Sequence, residues 1–296
     1  MNESKDSAER RDVARDVETA VLRAIDDNTL DLPTLPVVAA RVLAMLAQPD
    51  FSLDKVAKLI ESDPILAARL LSRLRKAAFA GLQRFDSVLT CVTRLGAREL
   101  RVFLVETSVH QVLESRNPII SEMCRELWRH SLAVAILSRE LSVATHGLHP
   151  DTAYLAGLLH DVGRPVLAAK LLESEQHLLG VHTQRWIMPS TWLAIISDKH
   201  RSVGAALADN WGLPESVAHA IRHSAAYDTQ DRFADSNIVS LADLLSRQQG
   251  IYVGPVEVSE VDRRVSEGCE LLGLEEATLE RILRDIDKRI GDRLGA

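Results

Sequence analysis

Cysteine is scarce. Cys91, Cys124 and Cys269 are odd in number, far apart and without a CxxC pairing. They cannot supply a secreted disulfide framework and suit a reducing compartment, where a free cysteine ordinarily acts as a small buried apolar residue. At 296 residues the chain can bury a core without staples. No apolar run approaches the roughly 20 residues that a membrane span needs, so no membrane association is expected. The opening stretch MNESKDSAERRDVARD is charged and lacks the apolar region of a signal peptide. A cytoplasmic protein is therefore the expectation. No repeat of solenoid length recurs. Strict alternation of β-branched residues is missing apart from the brief GIYVGPVEV. An excess of positive charge is missing as well: the net charge is −7, which repels phosphate backbones and argues against general nucleic-acid binding.

One stretch departs from that acidic balance. Between Asp63 and Arg101, arginine and lysine outnumber the carboxylates. Solvated helix faces are the ordinary account; the alternative is a phosphate-bearing ligand or an acidic partner docked there, with Arg73 and Arg94 as its contacts.

What the sequence has in abundance is helical periodicity. In LPVVAARVLAMLA the apolar residues Val37, Val38, Val42, Leu43 and Leu46 mark one buried stripe. Ser52 reads as an N-cap, and Asp63 caps a further helix that carries Pro64 at its first position, where the missing N–H costs nothing. Further helices are expected at Ser87–Leu95, Ala97–Leu113, Ser121–Ala144, Asp151–His160, Val166–Glu173, Pro189–Ile196, Ser202–Trp211, Glu215–Ser224, Ser236–Gln248, Ser259–Gly268 and Glu275–Arg289. The fold class is all-α. The polar stretch around Arg116 to Cys124, with Pro118, is the expected junction between two lobes, and the first sixteen or so residues are expected to be loosely attached or disordered. Trp128, Trp192 and Trp211 fall in helical patterns and are expected in the core, whereas Trp186 sits in a polar loop.

The stretch AYLAGLLHDVGR places His160 directly beside Asp161 after an apolar helix. A divalent metal needs ligands converging from several elements, because one helix turn cannot surround an ion. Such residues exist. His130 lies early in a long helix, and Asp243 is a carboxylate on a face otherwise made by Ile238, Val239, Leu241, Leu244 and Leu245. A buried carboxylate is expensive without a partner, so Asp243 should have a cation or donors near it. His200 and His223 are two more candidates. Each residue also has a structural alternative: Asp161 can hydrogen-bond backbone N–H groups, and His160 near a helix C-terminus is favoured by the dipole.

The order His, then His-Asp, then a distant Asp in an apolar helix resembles the HD superfamily of metal-dependent phosphohydrolases. The resemblance implies His130, His160, Asp161 and Asp243 as ligands of one metal, with His200 and His223 at the places that two-metal members use. The stretches LPTLPVVAARVLAMLAQPDFSLDKVAKLIESDPILAARLL, FDSVLTCVTRLGARELRVFLV, GLLHDVGRPVL, HRSVGAALADNWGLPESVAHAI and ADLL narrow it to the HDOD family of bacterial signalling proteins. It implies a charged segment at 1–31, an HDOD domain at 32–249 and a helical C-terminal extension at 250–296. Within the domain, an N-terminal lobe at 32–117 would pack on an HD-like lobe at 118–249. Three departures stand out: RKAAFAG replaces the usual Asn-Ser-Ala, the usual His-His pair is reduced to His223-Ser224, and Arg164 replaces the Lys of the HDIGK signature. They weigh against a second metal and efficient hydrolysis, and leave the four-ligand set intact.

Two function classes follow from the resemblance. The first, which we favour, is a regulatory module of bacterial signal transduction that binds a protein partner or a nucleotide or cyclic nucleotide ligand; some relatives bind cyclic di-GMP. The second is a phosphohydrolase acting on a nucleotide or cyclic dinucleotide, with Asp161 as ligand and proton acceptor and Arg164 clamping a phosphate. The metal would be Fe, Mn, Zn, Ni or Co, among which the ligand types do not choose. The seam between the lobes, where the basic helices could lie, is the expected ligand cleft.

Overall fold

The computed structural model describes residues 16, 19–25, 27, 29–77, 87–113, 118–145, 149–179, 189–252 and 254–294. The opening fifteen residues, Trp186 and the Arg116–Asn117 part of the expected junction lie outside them. Among the described residues there is no strand, and the fold is all-α. The described residues of GIYVGPVEV, the one stretch with β-like alternation, form a loop leading into a helix. None of the described helices is long and apolar enough to cross a membrane.

Local chemistry sets the first helices. Helix α1 (Val37–Leu46) buries Ala39, Val42, Leu43 and Leu46. Helix α2 (Leu53–Glu61) is capped by Ser52, whose hydroxyl accepts from the Lys55 N–H. Helix α3 (Pro64–Ala77) is capped by Asp63, whose Oδ1 accepts from the N–H groups of Ile65 and Leu66 at 3.0 Å. Helix α4 (Val88–Leu113) bends at Gly96, whose φ of 69° is the left-handed region open to glycine, so the two expected helices are halves of one kinked rod.

The second lobe is built on α5 (Pro118–Ala144) and α6 (Pro150–Leu159), which pack along one another. A Cβ on Gly157 would lie 2.7 Å from Ser138 Oγ and 2.9 Å from the Val134 carbonyl oxygen, so only glycine permits this approach. Around the pair lie α7 (Gly163–Leu179), α8 (Pro189–Asn210), α9 (Glu215–His223) and α10 (Asp235–Gln248). Helix α8 runs unbroken where two helices were expected. Its polar SDKHR run looks like an interruption in sequence, yet His200 within it faces inward and is buried. The extension comprises α11 (Val258–Leu272), packed on α10, with α12 (Glu276–Leu283) and α13 (Ile286–Leu294) on α5. The single helix expected at the C-terminus is divided at Asp285, whose φ is 58°.

One apolar core runs from Ala39 on α1 to Ile290 on α13, joining both lobes and the extension. A smaller cluster joins Val21 to α7 and α8 through Leu167, Leu171, Trp192 and Ile195. Trp192 and Trp211 are buried and Trp128 is half-buried. Trp211 Nε1 donates to the Pro33 carbonyl at 2.9 Å, tying α8 to the segment before α1.

A buried carboxylate crosses all three regions. Glu106 of α4 pairs with Arg73 of α3, accepts the Tyr154 hydroxyl of α6, and lies 2.8 Å from Arg293 Nη1 of α13. Burial and the Glu106 charge push the Tyr154 hydroxyl well above its ordinary pKa, so it stays a donor. Arg73, expected as an anion contact, is paired with Glu106 and packed on the Phe103 ring. Arg94 lies exposed on α4.

Replacing Glu106 by Gln should cost roughly 3 kcal/mol, because two half-buried guanidiniums lose their counter-charge. Urea unfolding should show a lower midpoint with unchanged slope. An unchanged midpoint would show that the node does not hold the lobes together.

Candidate metal centre

His130 sits within α5, His160 is the C-cap of α6, and Asp161 follows in the turn that leads into α7. That turn is closed by Val162 N–H to the Leu159 carbonyl at 3.0 Å and Arg164 N–H to the Asp161 carbonyl at 2.9 Å. His200 comes from α8 and Asp243 from α10. The five side chains are buried, the most exposed being Asp243 at 7%. Gly163 makes the convergence possible, since a Cβ there would collide with the His200 carbonyl oxygen.

The ring nitrogens are oriented by the backbone. A carbonyl oxygen only accepts, so His130 Nδ1 donates to Ile251 O at 2.8 Å, His160 Nδ1 to Gly157 O at 2.7 Å, and His200 Nδ1 to Ile196 O and Ser197 O, each at 2.9 Å. Each ring then aims its Nε2 inward. Burial pushes the His160 pKa down to about 4, against the pull of Asp161 and Asp243, so that ring is neutral at pH 7.

These Nε2 atoms and the carboxylate oxygens crowd together. His130 Nε2 lies 3.3 Å from His160 Nε2 and 3.3 Å from Asp243 Oδ1, with His160 Nε2 3.9 Å from the same oxygen. Asp161 Oδ2 is 3.6 Å from His160 Nε2 and 3.8 Å from His130 Nε2, and its Oδ1 is 3.2 Å from His200 Nε2. Arg164 Nε approaches Asp161 Oδ1 to 2.8 Å without a hydrogen-bonding angle, so neither oxygen of Asp161 has an aligned donor. Inward-facing ring nitrogens and an orphaned buried carboxylate fit a cation. His130, His160 and Asp243 each offer a ligand atom within 4.8 Å of the others, and Asp161 adds an oxygen beside them. A divalent ion held there would act as a Lewis acid and acidify bound water.

The carboxylates also have internal cations. Arg247 grips Asp243 with both arms, Nε to Oδ1 at 2.9 Å and Nη2 to Oδ2 at 2.7 Å. Burial alone would raise both carboxyl pKa values. For Asp161 the neighbouring His160, His200 and Arg164 outweigh it, for Asp243 His130 and Arg247 do, and both stay well below the usual carboxylate range. Over the cluster opens a cleft of about 410 Å³. His200, Asp243, Tyr252 and the arginines 164, 201, 247 and 264 line it. Its walls come from α7, α8, α10, α11 and the loop between the last two, not from the seam with the N-terminal lobe where a cleft was expected. His223 is exposed at the end of α9 with its ring 4.5 Å from that of His219, apart from the converging residues, because Ala220 and Ile221 take the buried face.

Residues 32–227 match the family described as HDOD domain, about two thirds of the 296 residues. The chain belongs to the HDOD family. An uncharacterized Treponema pallidum (strain Nichols) protein is 30% identical over 207 residues, which are 69% of this chain and 39% of that one. The match thus spans well under half of that relative. Among solved structures, a Shewanella amazonensis SB2B protein provisionally described as a metal-dependent phosphohydrolase superposes with a TM-score of 0.71 at 22% identity, covering 95% of this chain and 99% of that one. A Marinobacter aquaeolei VT8 protein provisionally described as a signal transduction protein gives 0.60 at 21% identity, covering 98% and 65%. At these identities the likeness is one of fold.

In this HDOD chain, sequence reasoning missed Arg201, Arg247, Arg264 and Tyr252. Arg247 had a readable signal, since it stands one helix turn after Asp243. Tyr252 had none: it lies in a loop, and its ring meets His130 edge-on at 5.2 Å with the Arg247 guanidinium 4.1 Å above it.

Replacing Gly163 by Ala should force α7 away from α8 and cost about 1–3 kcal/mol. Thermal unfolding should register the loss. An unshifted midpoint would mean that the close approach relaxes freely.

Proposed function

We propose that this HDOD chain is a regulatory module of bacterial signal transduction that works by binding, with a divalent ion held by His130, His160, Asp161 and Asp243. The observation that carries the reading is the double grip of Arg247 on Asp243, beside Arg164 against Asp161. A hydrolase needs a carboxylate free to accept a proton from the attacking water. Here both carboxylates are buried and charged, Asp243 held by the Arg247 fork and Asp161 lying against Arg164, an arrangement that favours a fixed binding site over turnover. His200 supports Asp161 as a positioning residue. Arg164, a phosphate clamp in the hydrolase reading, has its Nε turned toward Asp161.

A phosphohydrolase is the second reading, favoured by the orphaned oxygens of Asp161 beneath an arginine-lined cleft. Elemental analysis of the full chain purified without chelators, beside a folded His160→Ala/Asp161→Ala variant, separates the outcomes. We expect near-stoichiometric metal in the parent and none in the variant, and no cleavage of mononucleotides or cyclic di-GMP by the parent above the variant's background. Metal-dependent cleavage lost in the variant would replace the regulatory reading with the hydrolytic one. An empty parent, even after incubation with Mn or Fe, would remove the ion from the proposal.

A further inference from the structure

We infer that the cleft over the cluster is a receptor for a small molecule bearing a doubly charged phosphate, held by Arg201 of the HDOD domain and Arg264 of the C-terminal extension. The inference rests on the reading of the chain as a binding module.

Charge bookkeeping leads to it. Four guanidiniums line the cleft, and two buried carboxylates stand beneath them. Asp161 engages Arg164 and Asp243 engages Arg247, which leaves Arg201 and Arg264 without a carboxylate partner among the described residues. Four guanidiniums over two carboxylates leave two guanidiniums in excess, a match for a phosphate dianion, and an ion in the cluster would add to that pull. Arg201 is half-buried, and its Nε is shielded from water with no hydrogen-bond partner. A shielded guanidinium N–H without an acceptor is costly, and a bound oxyanion would supply one. Arg264 is fixed in place by donating from Nη2 to the Ala225 carbonyl at 3.0 Å, so little entropy is lost when its other N–H groups meet a ligand.

The planar fork of arginine matches phosphate oxygens in pairs, a fit that a diffuse cationic surface lacks. Ser240 and Tyr252 also line the cleft. At about 410 Å³ the cleft is sized for a small ligand. The net charge of −7 keeps polyanions away at long range. Arg247, Tyr252 and Arg264 all lie beyond residue 227, where the family match ends. The receptor therefore includes chain that the family domain alone lacks, and a ligand spanning Arg201 and Arg264 would brace α8 against α11.

The test is titration calorimetry of the full chain with inorganic phosphate and with pyrophosphate, in parallel with metal analysis of the same samples. Wild type should bind at least one probe. Arg201→Ala and Arg264→Ala should each weaken binding about tenfold or more, whereas Arg41→Ala, on the exposed side of α1, should match wild type. Arg201→Lys, which keeps the charge and loses the fork, should fall between. Circular dichroism and unfolding midpoints establish that the variants are folded. No binding of either probe by wild type, or equal binding by wild type and both alanine variants, would overturn the inference. Phosphate binding by a metal-free protein would remove the ion and leave this receptor standing; metal without phosphate binding would do the reverse.

Discussion

Two carboxylates must stay charged inside a helical core, and the arrangement of the second lobe answers that requirement. Asp161 and Asp243 are each nearly sealed from water, so their charge has to be met by groups brought from elsewhere in the chain. His130 comes from α5, His160 from the end of α6, His200 from α8 and Arg247 from one turn further along α10. Each of these helices is pinned to the cluster by the residue it contributes. The glycines at 157 and 163 allow the helices to come close enough for that to happen.

The N-terminal lobe and the extension repeat the same physics elsewhere. Glu106 is an isolated acid in the run VFLVETSV, and its partners come from α3, α6 and α13. A charge enclosed this way works as a registration mark, because only one relative placement of the lobes satisfies it. Apolar packing from α1 to α13 supplies the bulk of the cohesion, and the carboxylate selects the arrangement.

How legible this was in sequence depended on the range of each interaction. Caps are local, and Ser52 and Asp63 read correctly. The kink at Gly96 was legible for the same reason. Burial of Asp243 could be inferred from the apolar residues around it, and its need for a cation followed from electrostatics alone; the structure supplies Arg247. The His-Asp pair with its distant partners was visible as a resemblance, and the folded chain brings five of the six named histidine and aspartate positions together, leaving His223 outside. What stayed hidden was non-local. Arg73 looked like a free cation because its partner lies 33 residues away in an apolar stretch. The unbroken course of α8 was hidden because His200 counts as polar in any pattern yet faces the core. The arginines of the cleft come from four separate helices, and no window of sequence holds them together.

The three histidines are tethered to main-chain carbonyls through Nδ1. For His160 and His200 the carbonyls belong to the histidine's own helix, and for His130 the carbonyl is Ile251 O, in the loop after α10. The directions of the Nε2 atoms are thus stored in the backbone and not in freely rotating side chains. An arriving ion would meet ligands that have already surrendered their rotational freedom, so the centre's preference for one radius or coordination number is written in helix spacing. Evolution could retune that preference from a distance, by repacking α5 against α6 or α8 against α7, without replacing a single ligand.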